Sequence, residues 1–580
     1  MNRNTSLSMY AFALCLSLLL CVSMSAQTNN AAQAGVLNKA EFNRATHSDV
    51  SPPLRDLIAS QPASIYGYHE ASPVLKPKLQ KQLQFNAQRG VATASVDENA
   101  NQSLAPVAAT VGANVLGVGV GFHGYSVPDA PTDSNMASGD WPGNQANAQV
   151  VEWVNVSYAV FRKSDGAYLA GPILGNMLWS GFGGACQTAN SGDIIAQFDK
   201  VAHRWVLFQP MFSGPPFAGC FAISTSPDAL GTYFRYQFPM NAGFPDYPKL
   251  GIQPEAYYEA NNMFNNTLTA YIGAMPCAYN RVKMLVGDPT AEQVCTLDDS
   301  NGTLFDDSML PADLDSAELP LPAGTPEVFV GSIDNHSSET NIYEYTYKPN
   351  FSAGTAVLTG VNGATPIASG LPAFVGLCNF GTTACVPQLG TTSRLDSLGD
   401  RLMYRLALRR TVNTNNVPVN HWMVSHAIAN GSTGAQRWYE FRSPNSNLTG
   451  LAAYQGGTYA PDATYRFMGS LAMDKQGDIA MGYSRSSSTL HPDIYFTGRA
   501  PADALGTMQG EAPIVDQTVA TGSQRGTSNR WGDYSSMSID LDGCTFWYVN
   551  QYYTVPNSQF AWSTRVASLK FNSCTPTVLP

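Results

Sequence analysis

From about Val111 to the C-terminus the apolar residues fall in short runs, some alternating with polar residues and some continuous, separated by Gly, Pro, Asn and Asp. Alternation turns one face of a strand to a core and the other to water, and turn residues of these types end the run. The pattern therefore predicts an all-β domain over 111–580. Residues 27–110 differ: they are polar, rich in Ala, Gln and Asn, with a short helical pattern at Leu75–Arg89 and few strand-like runs. This stretch reads as an N-terminal arm or pro-segment, mostly irregular and partly disordered. Ahead of it, Met1-Asn2-Arg3, the apolar run from Met9 to Val22 and the small residues before Gln27 have the order of a secretory signal peptide, with cleavage expected near Ala26. That run is shorter than the ~20 apolar residues of a membrane span, and no later segment reaches that length, so no stable membrane insertion is expected. The mature chain is expected to be secreted, extracellular or periplasmic.

One strand-turn-strand unit recurs along the β region. Asp246–Asn262 matches Asp533–Asn550 at Asp246/Asp533, Tyr247/Tyr534, Leu250/Met537 and Ile252/Ile539, and Ser470–Ser484 repeats the unit through Ser470/Ser536, Asp474/Asp540 and Gly477/Gly543. A strand end made of one apolar and one polar residue marks each copy: Val154-Asn155, Phe198-Asp199, Ile252-Gln253, Ile333-Asp334, Leu408-Arg409, Met473-Asp474 and Ile539-Asp540. The spacings of 44, 54, 81, 75, 65 and 66 residues bracket the length of a four-stranded blade with variable loops. Seven copies predict a seven-bladed β-propeller, with six blades as the runner-up if Val154-Asn155 only starts the ring. A β-sandwich does not explain one motif recurring so often. Within one blade, Asp193–Asp199, Arg204–Met211, Cys220–Ser226 and Tyr233–Phe238 would follow in order, and Ser563–Phe571 would close the ring against Val150–Phe161.

Composition narrows the partners. Charged residues are 13% of the chain, 32 basic against 43 acidic, and Gly, Asn, Ser, Thr and aromatics are abundant. Phosphate binding needs clustered Lys and Arg, so no nucleic acid is expected. Extracellular glycan, another polymer or a protein suits this surface better, with the chain a monomer. After Cys15 and Cys21 leave with the signal, eight cysteines remain, and their sequence-local couples predict the disulfides Cys186–Cys220, Cys277–Cys295, Cys378–Cys385 and Cys544–Cys574. No Cys-x-x-Cys pair calls for zinc or redox chemistry.

The stretch Ser538–Tyr548 resembles a degenerate Asp-box, the structural turn of sialidase-type propellers, with one extra residue before Gly543. Residues 147–574 resemble a group of secreted bacterial propeller proteins of mostly unassigned function, through Phe198–Trp205, Arg437–Arg442 and Asn529–Ser538. The resemblance implies a blade more than an activity, because in sialidase-type proteins the Asp-box lies outside the active site.

In a propeller the first strand of every blade lines the channel, so residues at the strand starts converge on one face. The ligand-binding candidates are Asp246, Tyr247 and Lys249 of one unit, Arg401 and Arg466 of two others, and Arg530, Trp531, Asp533 and Tyr534 of the last. Arg401, Arg466 and Arg530 lie 65 and 64 residues apart, and sialidases hold a substrate carboxylate with an arginine triad whose forks match its geometry. Trp531 and Tyr534 would stack on sugar faces while Asp533 and Lys249 orient hydroxyls. No catalytic residue is assigned. Gly119–Gly124 fits Gly-x-Gly-x-x-Gly without a β-α-β context, His421 and His426 fall on opposite strand faces, and no Gly-x-Ser-x-Gly elbow occurs. No cofactor is expected; Asp540, Asp542 and the loop Asp298–Asp307 leave a structural calcium open, although solvated turns are the commoner fate of such residues. The reading is an exported binding or scaffold module for a glycan or another polymer at the channel mouth. A sialidase-like hydrolase or lyase acting on an acidic sugar and a protein–protein platform are the alternatives.

Overall fold

The computed structural model describes residues 40–59, 105–128, 130–298, 308–332, 341–360, 365–368, 370–381, 383–443, 449–526, 529–556, 558 and 560–577. The signal peptide, the helical pattern at 75–89, Ile333-Asp334 and most of the loop 298–307 lie outside them. Among the described residues the strands group into seven antiparallel sheets built on three or four consecutive strands, and we call them blades 1 to 7 in chain order. Their first strands are Ser134–Ser138, Ile195–Asp199, Phe244–Ile252, Leu310–Leu314, Met403–Val412, Tyr465–Met473 and Ser536–Ile539. Blades 4 and 5 also join through a parallel pairing of their first strands, Ala312 with Leu406 and Leu314 with Leu408.

Each first strand touches those of the blades on either side, and the first strand of blade 7 touches that of blade 1. This closed cycle is the β-propeller. Blade 7 takes its outermost strand from upstream: Trp562–Phe571 pairs with Ala109–Leu116, not with the 150–161 region that the sequence suggested. Two pieces of the arm are also ordered, Ala40–Arg44 on the outer edge of blade 3 and His47–Val50 on that of blade 2. All four expected disulfides are formed. Among the described residues no helix is long and apolar enough to cross a membrane.

Outside the blade 4–blade 5 pairing, the first strand of a blade has one backbone edge with no strand beside it, and buried peptide groups left unpaired are costly. Side chains of neighbouring blades satisfy many of them. Asn135 accepts from Ala196 N at 3.0 Å, Gln197 Nε2 donates to Leu250 O at 2.8 Å and Asp313 accepts from Ile252 N at 3.1 Å. Arg405 of blade 5 donates to Asp313 of blade 4 and to Met537 O of blade 7, Met537 N to Ser470 of blade 6, and Ser536 to Met136 O of blade 1. This lacing explains why first strands carry polar residues that are nonetheless buried.

The recurring polar residue at the strand end is a scaffold element. Asp199 accepts from Val201 N, Ala202 N and Tyr257 OH and holds Arg281. Asp540 pairs with Lys163 of blade 1, and Asp474 accepts from Gln476 N and Asp478 N. The blade 4 copy is Leu314-Asp315, where Asp315 binds Lys200 at 2.9 Å. Val154-Asn155 ends the second strand of blade 1, not its first. Leu408-Arg409 lies within the first strand of blade 5.

Ring closure also buries Glu152 of blade 1, which accepts from Val118 N at 2.9 Å and from Thr564 Oγ1. Burial pushes this carboxyl up to about 7, against those two hydrogen bonds. An unfolded Glu titrates near 4.3, so between these values the folded chain holds a proton that the unfolded chain has released. Stability therefore falls as pH rises through this window and levels off above it. The expected outcome is a loss of roughly 2 to 3 kcal/mol between pH 5 and 8 from this group, removed in Glu152→Gln. Urea titrations of both proteins across the window check it, and parallel pH slopes would contradict it.

Candidate functional site

At the ends where the first strands begin, the chain enters the ring in strained backbone. Asp133, Asp193 and Tyr247 have φ of 46°, 48° and 55°, and Met468 of blade 6 has 52°. Left-handed conformations cost non-glycine residues about 1–2 kcal/mol each, and such strain concentrates at functional sites. Bulges at Asp246/Lys249 and Phe467/Ser470 turn the same two strands inward.

These starts bring charged side chains of five blades together. Carboxylate oxygens of Asp133, Asp193 and Asp533, from blades 1, 2 and 7, lie within 4.8 Å of one another, and all three residues are buried. Asp533 N donates to Asp133 Oδ1 at 2.7 Å, Tyr247 N donates to Asp193 Oδ2 at 3.2 Å, and Arg530 pairs with Asp533. Lys249 Nζ sits 3.4 Å from the ring centroid of Tyr247 and 4.2 Å from that of Tyr534, a cation–π cage, and donates to Pro248 O at 2.8 Å. Arg401, entering from blade 5, lies over the other side of this group at 4.4 Å from the Tyr247 centroid and forks onto Asp400 at 2.9 and 2.8 Å. Tyr404 packs beside Tyr534 and receives a hydrogen bond from Gln197 at 2.7 Å.

Burial governs the protonation of the cluster. Desolvation, followed by the Asp533 charge, raises Asp193 to about 6, and desolvation also raises Asp133, Asp246 and Asp533. It pushes the Lys249 ammonium down to about 7 against the attraction of Asp193 and Asp533. Carboxyls held up and an amine held down in one site are the arrangement from which proton donors and acceptors are made near neutral pH.

Of the nine residues singled out in the sequence, Asp246, Tyr247, Lys249, Arg401, Arg530, Asp533 and Tyr534 meet here. Arg466 does not join them. It forks onto Glu511 at 2.9 Å, binds Asp462 at 2.9 Å and stays within blade 6. The equal spacing of the three arginines thus does not make a triad. Trp531 is 1% exposed, bonds Ser484 at 3.1 Å and stacks on Tyr553, so it packs blade 6 against blade 7 and offers no open face. Asp540 and Asp542 are engaged as well: Asp542 accepts from Cys544 N, Thr545 N and Thr545 Oγ1.

Asp133 and Asp193 were not singled out, yet a signal for them exists. Asp133/Asp140, Asp246/Gln253, Ser308/Asp315 and Asp533/Asp540 all stand seven residues apart, and Asp193/Asp199 stand six apart. Reading backwards from each strand-end polar residue reaches the strand-start residue that enters the ring.

The expected mouth is covered. The connection between blades 4 and 5 contributes Leu377, Cys378, Val386, Leu395 and Leu398, and Gly119–Gly124 contributes Phe122, to one apolar cluster with Tyr247, Tyr404, Trp531 and Tyr534. Gln388 exchanges hydrogen bonds with the Gln524 backbone at 3.0 and 2.8 Å, and Asp396 N bonds Asn529 O at 2.9 Å, fastening this cover to the entry of blade 7.

No protein-family model and no curated protein matches the chain. Among solved structures it is similar to the WD40 domain of SCAP from fission yeast, at 8% identity over 76% of this chain and 85% of that chain, with a TM-score of 0.32. A protein of unknown function from Dyadobacter fermentans matches at 10% identity over 80% of this chain and 100% of that chain, TM-score 0.30. A PL25 polysaccharide lyase, an ulvan lyase, matches at 10% identity over 73% and 95%, TM-score 0.26.

The Arg466 side chain is fully buried and forks onto Glu511, which is largely buried and also held by Arg485 and Tyr483, while its other partner, Asp462, is half exposed. Removing one side of such a charge-assisted pair costs about 1–3 kcal/mol. Arg466→Met is expected to lose stability of that order in urea unfolding; a change below about 0.5 kcal/mol, typical of surface substitutions, would contradict this placement.

Proposed function

We propose that the protein is an exported binding module whose ligand, a neutral extracellular glycan, engages the end of the ring where the first strands begin. The observation that carries this reading is the contrast between the two ends. At the strand ends, Asp199, Asp315 and Asp540 are used in turns and cross-blade ion pairs. At the strand starts, Asp133, Asp193 and Asp533 are gathered within 4.8 Å, the backbone at Asp133 and Asp193 is left-handed, and one carboxylate oxygen each of Asp533 and nearby Asp246 lacks a hydrogen-bond partner. Burying carboxylates this way costs stability rather than adding it, which points to a use beyond scaffolding.

The chemistry favours a ligand that donates hydrogen bonds. Both arginines near the cluster already hold carboxylates, Arg401 as a fork on Asp400 and Arg530 through one terminal nitrogen on Asp533. Capture of an acidic sugar by these guanidinium groups would have to break buried pairs. Sugar hydroxyls can supply donors to the unpartnered oxygens. Because the cover lies over the cluster, the ligand displaces part of the connection between blades 4 and 5.

A second reading, a glycoside hydrolase, is favoured by the carboxylates within 4.8 Å of one another, since paired carboxyls with displaced pKa values perform acid–base cleavage. Screening the purified protein on neutral and acidic glycans, with released sugar measured alongside retention, separates the readings. Retention of neutral glycans without release is expected, weakened at least tenfold in Lys249→Met with circular dichroism unchanged. Release of sugar would establish the hydrolase, and the absence of both would leave a protein-binding platform and overturn the proposal.

A further inference from the structure

We propose that the acidic cluster at the strand starts binds one calcium ion, held by Asp133, Asp193 and Asp533 with Asp246 as a fourth ligand. The inference stands apart from the glycan reading. It also differs in place from the Asp540–Asp542 turn, whose carboxylates are already occupied.

Calcium is bound by six to eight oxygens at about 2.3–2.6 Å. Two oxygens on one such ion therefore lie no more than about 5 Å apart, and the oxygens of Asp133, Asp193 and Asp533 lie within 4.8 Å of one another. All three residues are buried, so the oxygens are not solvated in the way that surface acidic clusters are. A second observation points to a missing cation. Asp246, at the start of the neighbouring strand of blade 3 and next to the residue whose N–H donates to Asp193, is 1% exposed, yet its Oδ2 has no hydrogen-bond partner. Asp533 Oδ2 is likewise unpartnered, on the side not held by Arg530.

The charge balance leads to the same place. Among the described residues of the cluster, Asp133, Asp193, Asp246 and Asp533, together with Asp396 and Asp400, outnumber Lys249, Arg401 and Arg530. Lys249 does not reach the carboxylates by a hydrogen bond; its ammonium donates to Pro248 O inside the tyrosine cage. Hard carboxylate oxygens without any imidazole or thiolate select calcium over softer metals. Three of the four ligands sit at the entries of blades 7, 1 and 2, and the fourth in blade 3. An ion here would tie the closing junction of the ring to its next two blades.

The test uses the full chain freed of metal with a chelator, then titrated with terbium, which takes calcium's oxygen ligands and emits when tyrosines nearby are excited. Because the cluster is buried, terbium or calcium is added both to the native protein and during refolding from urea with the disulfides intact. Sensitised emission saturating at one equivalent per chain, displaced by calcium, is expected, because Tyr247 and Tyr534 adjoin the cluster. Calcium at 1 mM is expected to raise the melting temperature by several degrees. Asp246→Asn and Asp193→Asn, which keep the side-chain shape, are each expected to weaken binding at least 30-fold with the circular dichroism spectrum retained. If Asp193→Asn does not fold, Asp246→Asn alone decides. Absence of emission and of a thermal shift under both loading conditions would overturn the proposal. Emission of wild-type strength in the Asp246→Asn protein would overturn it too, by placing the ion elsewhere.

Discussion

Apart from the parallel pairing of blades 4 and 5, the blades of this ring leave the inner edge of the first strand without a strand partner, and that constraint shapes the rest of the molecule. These edges crowd around one axis and are buried. Their peptide groups must be matched by side chains of other blades: Asn135, Gln197, Asp313 and Ser470 each reach the backbone of the adjacent blade, and Arg405 of blade 5 reaches that of blade 7. The outer parts of the blades are apolar in the ordinary way, with Trp153, Trp205 and Trp562 fully buried. The axis is polar because it has to be.

That necessity makes room for chemistry. Once polar side chains are required along the axis, clustering charged ones at one end adds a local cost rather than a new architecture. At the strand ends Asp199, Asp315 and Asp540 are matched by Arg281, Lys200 and Lys163, while Asp474 lies beside Asp478 in the turn of blade 6. At the strand starts the charges exceed what pairing needs, the backbone is left-handed at Asp133, Asp193 and Tyr247, and the connection between blades 4 and 5 closes over them.

The blades were legible because each repeats a strand-end pair in front of a turn; the four strands of blade 2 fall where the apolar runs place them. Blade 1 was misread because its first strand, Ser134–Ser138, is short and polar, so the more apolar Gln149–Val154 drew attention instead. The closing partner of Trp562–Phe571 was misassigned for a different reason. Ala109–Leu116 and 150–161 are both strand-like, and local pattern carries no information on which distant segment pairs. Asp246, Lys249, Arg530 and Asp533 could be found from the repeat, whereas Asp133 and Asp193 precede strands whose copies diverged. Arg466 shows the limit of spacing: a side chain at the repeat interval is turned toward Glu511 by its own blade.

The central claim is that blades remote in sequence share one charged cluster, and coupling between Asp133 and Asp533, 400 residues apart, tests it most directly. A double-mutant cycle of Asp133→Asn and Asp533→Asn, measured by urea unfolding at pH 8 with chelator present, isolates their interaction. Shared burial and repulsion predict a coupling energy of about 1 kcal/mol or more; effects that add within about 0.3 kcal/mol, as distant sites do, would contradict it.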